Sequence, residues 1–411
     1  MIDNFRADSY SRKKIIFVYP HPFFQRDVHR FGAEYLMKKG YSVELWRLFS
    51  DDSISFLGGD SVYQGENYYE YDYHEFKWQV GNHLDDIYIL IGANQVIYGE
   101  IINRGCIYFF WDGMGGVFSF SDACTQKFSQ LLYKKLKRAF QRGAFQSLLH
   151  LYDMIQTNHR IRKYKGIQRN NPPIQIVTST RKVAQKYWSY EQLQGNVLYT
   201  HAMDYDRYIE ENRKIDTDGK YIVFCDTGIG TIDYDTVYYN YEQINDRYRF
   251  LEQTEELIVA LEKKYNLPTI ILGHPNAIYE NGTFFGRQVV RNRSCEYTKK
   301  AAVFILNVSL AINFAVLYDV PTLQVVNTEF KHLTFMAPNL YEYIKCQALD
   351  ILGCGFLDMD DADAMKHPWD YVKRMDPMKR ERYIHDYLID NNTTDKCSYE
   401  YLEEVIRPYF L

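Results

Sequence analysis

The sequence lacks long apolar runs, paired cysteines and a glycine-rich dinucleotide-binding loop, and each absence argues against a class of protein. No segment approaches the ~18–20 consecutive apolar residues of a membrane-spanning helix. The seven cysteines contain no C-x-x-C pair, so neither a disulfide framework nor a zinc site is predicted. The net charge of -5 disfavours nucleic acid as a partner. The polar N-terminal residues lack the apolar core of a signal peptide, and we therefore expect a cytoplasmic protein.

What the chain does contain is enough apolar sequence for two globular domains. It has 411 residues, and single hydrophobic cores stop growing near ~250–300 residues. Its apolar content of 46% is typical of folded proteins. Tyrosine is abundant, with 38 residues, and this side chain both packs and forms hydrogen bonds. A sugar site lined by tyrosine is one interpretation, and ordinary scattered tyrosines are the other.

Short apolar strands alternate with helical patterns in the first half of the chain, and this order predicts a parallel sheet. A helix is predicted over residues 24–39, ending at Gly40, and residues 58–83 are expected to be an irregular insertion. His21 follows the first strand. The predicted strands are residues 13–20, 42–49, 87–91, 106–111, 174–179 and 196–200.

The second half repeats the alternation, with strands at 220–226, 267–272, 301–308 and 321–326 and a helix at 248–265. Ligands of parallel sheets bind at the carboxyl ends of the strands. We therefore expect a binding site built from the residues that follow these strands. They are Asp226, Thr227, Gly228, His274, Pro275, Ser309, Asn313 and Glu329.

Ser309 precedes a predicted helix and is a plausible N-cap. At a helix N-terminus, free N–H groups and the helix dipole favour an anion by ~0.3–1 kcal/mol. Asn313 is one helical turn further on and is expected to contact a nucleotide, and Glu329 is expected to accept hydrogen bonds from ribose hydroxyls. For Thr227 and Gly228 the alternative is a plain glycine-rich turn.

Asp112 ends a buried strand and is followed by Gly113 and two further glycines. A carboxylate at a strand end beside a glycine turn lets another group approach closely, as a catalytic base requires. A turn aspartate that caps its own backbone is an equally good interpretation of the local pattern.

Residues 127–169 form a basic stretch, with eleven Lys or Arg and one acidic residue, and residues 127–149 within it predict an amphipathic helix. Such a segment suits peripheral contact with an anionic inner-membrane surface. The solvated face of an ordinary packed helix is the alternative.

A polar hinge at residues 201–220 separates the two halves, which predicts domains 1–208 and 209–411 with a C-terminal helical extension. We expect the extension to pack back across the first domain. The fold class is α/β, with two Rossmann-like domains whose parallel sheets face a central cleft.

This arrangement resembles the GT-B glycosyltransferases, and more narrowly the bacterial sialyltransferase-like and capsule or lipopolysaccharide nonulosonate (sialic acid, Kdo) transferases. The resemblance is carried by Asp112-Gly113 in the first half and by His274-Pro275 and Ser309 in the second. Trp111 stands at the first position of the family's paired acidic motif, and Leu310 follows Ser309 where the family has a second hydroxyl residue.

The resemblance implies that Asp112 takes the proton of an acceptor hydroxyl while His274 and the helix behind Ser309 stabilise the leaving phosphate. It implies a nucleotide-sugar donor, most readily CMP-linked, and a bacterial surface-glycan or lipid-linked acceptor. His21 is a second-choice acceptor or base residue. Neither a metal nor another cofactor is expected, because the D-x-D sequences at 204–206 and 233–235 lie away from the buried strand ends.

Two other functions remain open from the sequence. A sugar-nucleotide 2-epimerase of the same fold would place several acidic and histidine residues around the cleft. A non-catalytic capsule-assembly protein would bind no nucleotide.

Overall fold

The computed structural model describes residues 13–48, 62–92, 98–113, 164, 166–188, 190–214, 220–228, 246–275, 277, 279–333, 339–390 and 396–410. Within these residues, the strands form two seven-stranded sheets, one in each half of the chain. The predicted α/β class with two Rossmann-like halves is confirmed.

The first sheet is parallel throughout, with the order β3-β2-β1-β4-β5-β6-β7. Its strands are β1 (Ile15–Tyr19), β2 (Val43–Leu48), β3 (Tyr68–Tyr71), β4 (Ile87–Ile91), β5 (Ile107–Asp112), β6 (Gln175–Thr178) and β7 (Val197–Tyr199). Alternate residues of β1 fill two different cores, Ile15 and Phe17 on one face and Ile16 and Val18 on the other. Such two-sided burial explains why these strands are continuous apolar runs in the sequence.

The second sheet has the order β10-β11-β9-β8-β12-β13-β14, and the β10–β11 pair is antiparallel at one edge. A single hydrophobic core covers this half of the molecule. The strands are β8 (Tyr221–Cys225), β9 (Thr269–Leu272), β10 (Thr283–Phe284), β11 (Arg287–Val290), β12 (Ala301–Leu306), β13 (Thr322–Val326) and β14 (Gly355–Asp358).

Helices connect the strands in both halves. The described α-helices are α1 (Gln25–Arg30), α2 (Ala33–Lys38), α3 (Tyr73–Asn82), α4 (Gly99–Asn103), α5 (Arg181–Tyr187), α6 (Tyr190–Leu193), α7 (Met203–Asn212), α8 (Arg247–Tyr265), α9 (Ser294–Lys299), α10 (Ile312–Leu317), α11 (Leu340–Cys346), α12 (Ala362–Lys366), α13 (Pro377–Tyr383) and α14 (Ser398–Ile406). Shorter 3₁₀ turns lie at Glu280–Gly282, Thr328–Lys331, Pro368–Tyr371 and Arg407–Tyr409, and π-helical segments lie at Gln347–Leu352 and Ile384–Leu388.

Two local predictions in the first half are wrong. The helix expected over residues 24–39 is two short helices separated at Gly32, which has a φ of +80°. A Cβ on this glycine would lie 2.3 Å from Cβ of Tyr399, so the break also admits the C-terminal helix. The stretch 58–83, expected to be irregular, contains β3 and α3, whose N-cap Asp72 accepts a hydrogen bond from the backbone of Glu75 at 2.8 Å.

Part of the segment expected to be a hinge, residues 201–220, is the regular helix α7, which crosses the predicted domain boundary at 208/209, and residues 215–219 of it lie outside the described residues. The two sheets themselves divide between Tyr199 and Tyr221. As expected for the C-terminal extension, α14 returns to the first half, where Leu402 and Ile406 join the core beneath β1. Tyr41 in that half also donates a hydrogen bond to Glu403 at 2.7 Å.

Candidate functional site

Each sheet has a point where the strand order reverses direction, and four of the predicted site residues follow the strands at these points. In the first sheet β1 lies between β2 and β4, and His21 follows β1. In the second sheet β8 lies between β9 and β12. Asp226, His274 and Ser309 follow these three strands at the same edge. Ligands of open α/β sheets bind in the crevice at such reversals.

Hydrogen bonds join the ends of β8 and β9. The hydroxyl of Tyr279 donates to Oδ2 of Asp226 and accepts the backbone N–H of His274 at 2.8 Å. Oδ1 of Asp226 accepts the N–H of Gly228 at 3.0 Å. The carboxylate of Asp226 therefore has a protein donor on each oxygen, and the turn that carries His274 is attached to it through Tyr279.

Tyr279 and Arg291 are functional candidates that the sequence analysis missed. The guanidinium carbon of Arg291 lies 5.2 Å from the centre of the Tyr279 ring, and its Nη2 donates to the carbonyl of Ala277. Arg291 follows β11, the strand beside β9, so it belongs to the same edge. Its position directly after the two valines of β11 was the signal in the sequence, whereas nothing local marked Tyr279.

The turn after β8 contains one further polar group. Oγ1 of Thr227 is buried and has no hydrogen-bond partner within the described part of the chain. Gly228 is buried beside it. Pro275 is half-buried in the turn that follows His274, and the N–H of Ala277 closes this turn on the carbonyl of His274 at 3.2 Å.

Ser309 is not the N-cap of the helix that follows it. The N-cap of α10 is Ala311, and Oγ of Ser309 accepts the N–H of Ala311 at 3.1 Å. The helix has only six residues, so the predicted anion site at its N-terminus loses its support. The Ser309 hydroxyl also contacts the thiol of Cys225, whose pKa burial raises to about 12.

His274 and Ser309 do not adjoin directly, because β8 lies between their two strands. Strands are spaced by ~4.7–4.9 Å, so their attachment points are about 10 Å apart. Asp226 and Thr227 occupy the space between them at the same level of the sheet. A ligand that touched both predicted residues would therefore lie across the end of β8.

Asn313 is held by protein partners at both ends of its amide. It is fully buried, its Nδ2 donates to Asp204 at 2.8 Å, and its Oδ1 accepts the hydroxyl of Tyr383 at 2.9 Å. Both ends of the amide are therefore engaged, and the residue joins α10 to α7 and α13. Helical spacing from Ser309 gave no sign of these distant partners, and contact of Asn313 with a nucleotide stays a prediction.

Glu329 lies where the sequence predicts it, at the carboxyl end of β13. It is 9% exposed, and its Oε2 accepts the N–H of Asp246 at 3.3 Å. Its contact with ribose remains a prediction.

Asp112 is the carboxylate of the first sheet's edge. It is 6% exposed at the end of β5, and Nε1 of Trp188 donates to its Oδ2 at 3.2 Å. Burial raises its pKa to about 6, against the opposing effect of the indole hydrogen bond. A carboxyl group with such a pKa exchanges its proton near neutral pH, as a general base must.

Gly113 connects this edge to helix α7. Its carbonyl accepts the N–H of Met203 at 2.9 Å, and a Cβ at Gly113 would lie 3.1 Å from the Met203 methyl. Since Asp204 on the same helix binds Asn313 of α10, helix α7 contacts both the end of β5 and the helix that follows β12.

His21 lies at the end of β1, its ring edge-to-face with Tyr19 at 5.1 Å. Burial and the charge of Arg47 lower the pKa of His21, which favours the neutral imidazole. A neutral imidazole suits hydrogen bonding to a hydroxyl group more than binding to an anion.

The remaining predictions concern metals and membranes. Among the described residues, no group of three or more His, Cys, Asp or Glu side chains is arranged to hold a metal ion. None of the described helices is long and apolar enough to span a bilayer. Residues 127–163 of the basic stretch lie outside the described residues.

No protein-family model and no curated protein matches this sequence. Among solved structures, it is similar to the UDP-GlcNAc 2-epimerase of Methanocaldococcus jannaschii in complex with UDP-GlcNAc and UDP, with 9% identity over 96% of this chain and 99% of that chain, at a TM-score of 0.44. The wall teichoic acid polymerase TagF has 13% identity over 98% and 90% of the two chains at a TM-score of 0.48. The spinosyn forosaminyltransferase SpnP has 11% identity over 97% and 95% at 0.39. At these identities and scores, the likenesses assign no role to individual residues.

Proposed function

We propose that this protein transfers a sugar from a nucleotide-activated donor to a hydroxyl acceptor. The observation that supports the proposal is the difference between the carboxyl edges of the two sheets, both of which are connected to helix α7 by hydrogen bonds, at Gly113 directly and at Asn313 through α10. One edge carries Asp112, a buried carboxyl group whose pKa is about 6, and the other carries the braced turn of His274. A glycosyl transfer needs these two capacities, a base for the acceptor and a donor of hydrogen bonds for the leaving phosphate.

In this proposal Asp112 removes the proton of the acceptor hydroxyl as the sugar carbon is attacked. The bond from the sugar to the phosphate breaks at the same time, and the imidazole N–H of His274 donates to the departing phosphate oxygen. Thr227, Gly228 and Ser309 border the nucleotide, Pro275 fixes the turn, and Glu329 accepts from the ribose. Gly113 leaves room for the acceptor, and His21 binds it from the end of β1.

The finer form of the proposal is a CMP-linked nonulosonate donor and a bacterial surface-glycan acceptor. Nucleotide binding is tested first, by thermal shift with CMP, CDP, UDP and GDP. A nucleotide at a hundredfold excess over its Kd stabilises the native state by ~2.7 kcal/mol. Stabilisation by CMP above the others supports the finer form, while stabilisation by UDP directs the test to UDP-linked donors.

The role of His274 is tested by His274→Ala, with His332→Ala as the matched control because His332 is exposed in the same half of the chain. We expect His274→Ala to weaken nucleotide binding by about tenfold or more, the value of a hydrogen bond to a charged group. His332→Ala should bind as the unaltered protein does. Epimer formation from UDP-GlcNAc without transfer would replace the proposal by 2-epimerisation, and the absence of any nucleotide binding would remove both.

A further inference from the structure

Three hydrogen bonds involve the described residues of the segment from His274 to Tyr279. The N–H of Ala277 returns to the carbonyl of His274, and the N–H of His274 reaches forward to the hydroxyl of Tyr279. Arg291 then holds the carbonyl of Ala277 from the neighbouring strand end. The backbone around His274 is thus fixed from both sides.

The hydroxyl of Tyr279 can form both of the hydrogen bonds that connect Asp226 to His274. A phenol hydroxyl donates one hydrogen bond and accepts others, and here it donates to Asp226 and accepts from His274. Phenylalanine would fill the same space but would leave the N–H of His274 and one oxygen of Asp226 without this partner.

The packing around the ring is equally specific. A Cβ at Gly273 would lie 2.8 Å from Cε2 of Tyr279 and 2.5 Å from Cγ1 of Val289. Glycine therefore allows the backbone directly before His274 to lie close to the tyrosine ring. The position of His274 depends on Tyr279 through this packing as well as through the hydrogen bond.

We propose that Tyr279 is a positioning residue that sets the orientation of His274, with Asp226 as its anchor on β8. This inference rests on the proposed function for the role of His274. It assigns Asp226 to the support of the turn instead of to direct contact with substrate, since both of its carboxylate oxygens accept protein hydrogen bonds. Binding of the donor phosphate then depends on Tyr279 through His274.

The chain offers a matched control for this proposal. Tyr341 donates to Asp358 at 2.8 Å, so it forms the same kind of tyrosine–aspartate pair at the end of β14. That strand lies three places from β8 at the sheet edge. Tyr341→Phe removes an equivalent hydroxyl without touching the turn of His274.

The first measurement is the affinity for CMP and UDP in a double-mutant cycle. Tyr279→Phe should weaken binding by about tenfold, the cost of a misplaced charge-assisted hydrogen bond, whereas Tyr341→Phe should change it less than about twofold. In the His274→Ala background, Tyr279→Phe should have no further effect. Equal losses in both backgrounds would overturn the proposal, because a merely structural tyrosine acts independently of His274.

Asp226→Asn provides a second variant if Tyr279→Phe does not fold. An amide oxygen still accepts the tyrosine hydroxyl, so we expect a smaller loss than with Tyr279→Phe, again confined to proteins that retain His274. If Asp226→Asn still weakens nucleotide binding in the His274→Ala background, Asp226 contacts the ligand directly. That result would overturn its role as anchor.

The second measurement needs no ligand. Amide hydrogen exchange at His274, followed by NMR on the full chain, should accelerate by about tenfold or more in Tyr279→Phe and stay unchanged in Tyr341→Phe. Unchanged exchange would overturn the positioning role even if nucleotides bind. Accelerated exchange in a protein that binds no nucleotide would leave the positioning role intact and remove the proposed function.

Discussion

Asp112 and Asp226 occupy comparable places in the two sheets but have different surroundings. Each lies at the carboxyl end of a buried strand and is 6% exposed. Asp112 accepts an indole N–H, and burial raises its pKa to about 6. Asp226 accepts a hydroxyl and a backbone N–H and supports a neighbouring turn. Two carboxylates with the same burial therefore differ in the groups that donate to them and in what they hold in place.

The largest expected effect is the loss of transfer activity when Asp112, the proposed base, is replaced. Asp112→Asn keeps the shape and the indole contact but removes the proton acceptor, so we expect transfer to fall by ~10²–10⁴-fold. Nucleotide binding should remain, as measured by thermal shift. Asp72→Asn, which changes an exposed helix cap, is the control and should retain full activity. A fully active Asp112→Asn would remove Asp112 as base.

The pH dependence sharpens the same contrast. Transfer should fall as the pH drops below about 6, because Asp112 acts as a base only when deprotonated. Its pKa is higher in the folded than in the unfolded state, so folding is favoured at low pH and loses stability as the pH rises through about 6. Asp112→Asn should therefore raise the melting temperature more at pH 7.5 than at pH 5. An equal change at both pH values would contradict the assigned pKa.

Asn313 differs from both aspartates, because its buried amide joins helix α10 to α7 and α13. Asn313→Ala leaves Asp204 and the Tyr383 hydroxyl without their partner, at ~1–3 kcal/mol for each unsatisfied buried group. We expect chemical denaturation to show this loss, while nucleotide affinity of the folded variant stays unchanged. Asn196→Ala, at an exposed site, is the control. Weaker nucleotide binding at full stability would restore the ligand role predicted from the sequence.

The smallest effect concerns the contacts of helix α7 with the first half. His29 bonds Glu210 at 3.0 Å and Glu34 at 3.0 Å, and these carboxylates raise its pKa, chiefly through Glu210. Tyr399 and Arg207 also bond Glu210. Burial works to raise the pKa of Glu210, but the hydrogen bonds from His29 and Tyr399 outweigh it and hold the pKa at about 2.

Because the raised pKa of His29 belongs to the folded state, its contribution to stability is present at low pH and lost as the pH rises through that pKa. The contribution of Glu210 is present above its unfolded pKa and is lost as the pH falls towards about 2. His29→Gln should lower the melting temperature at pH 6 and leave it nearly unchanged at pH 9. At this partly exposed site, the loss in the free energy of unfolding at pH 6 should be less than ~1 kcal/mol. His332→Gln should show no such difference, and an equal shift at both pH values would mean that His29 acts only through packing.

The strands and the residues that follow them were predictable from the sequence, because both depend on local patterns. Apolar runs interrupted by helical spacing place His21, Asp112, Asp226 and His274 at strand ends in both prediction and structure. The helix α3 was also within reach, since Asp72 and Glu75 have the spacing of a capping box. The tyrosine-rich, acidic composition of residues 58–83 favoured the prediction of an irregular segment instead.

The supporting contacts were not predictable, because they join positions far apart in the chain. Asn313 and Asp204 are 109 residues apart, and Tyr279 and Asp226 are 53 residues apart. Ser309 shows that prediction also fails for some short-range contacts. A serine that is the N-cap of a helix and a serine in the turn before the helix cannot be told apart in the sequence. The chemistry of a strand end follows from the local sequence, whereas its orientation follows from the assembled sheet.

The return of helix α14 has a consequence for how the protein is made. Leu402 and Ile406 fill the core beneath β1, yet they are synthesised long after β7 (Val197–Tyr199), the last strand of the first sheet in chain order. At ~5–20 residues per second, synthesis from β7 to α14 takes roughly 10–40 s, during which the first sheet exposes an apolar face. A nascent chain in this interval is a natural client for chaperones, and premature termination before α14 would leave the first sheet without this part of its core.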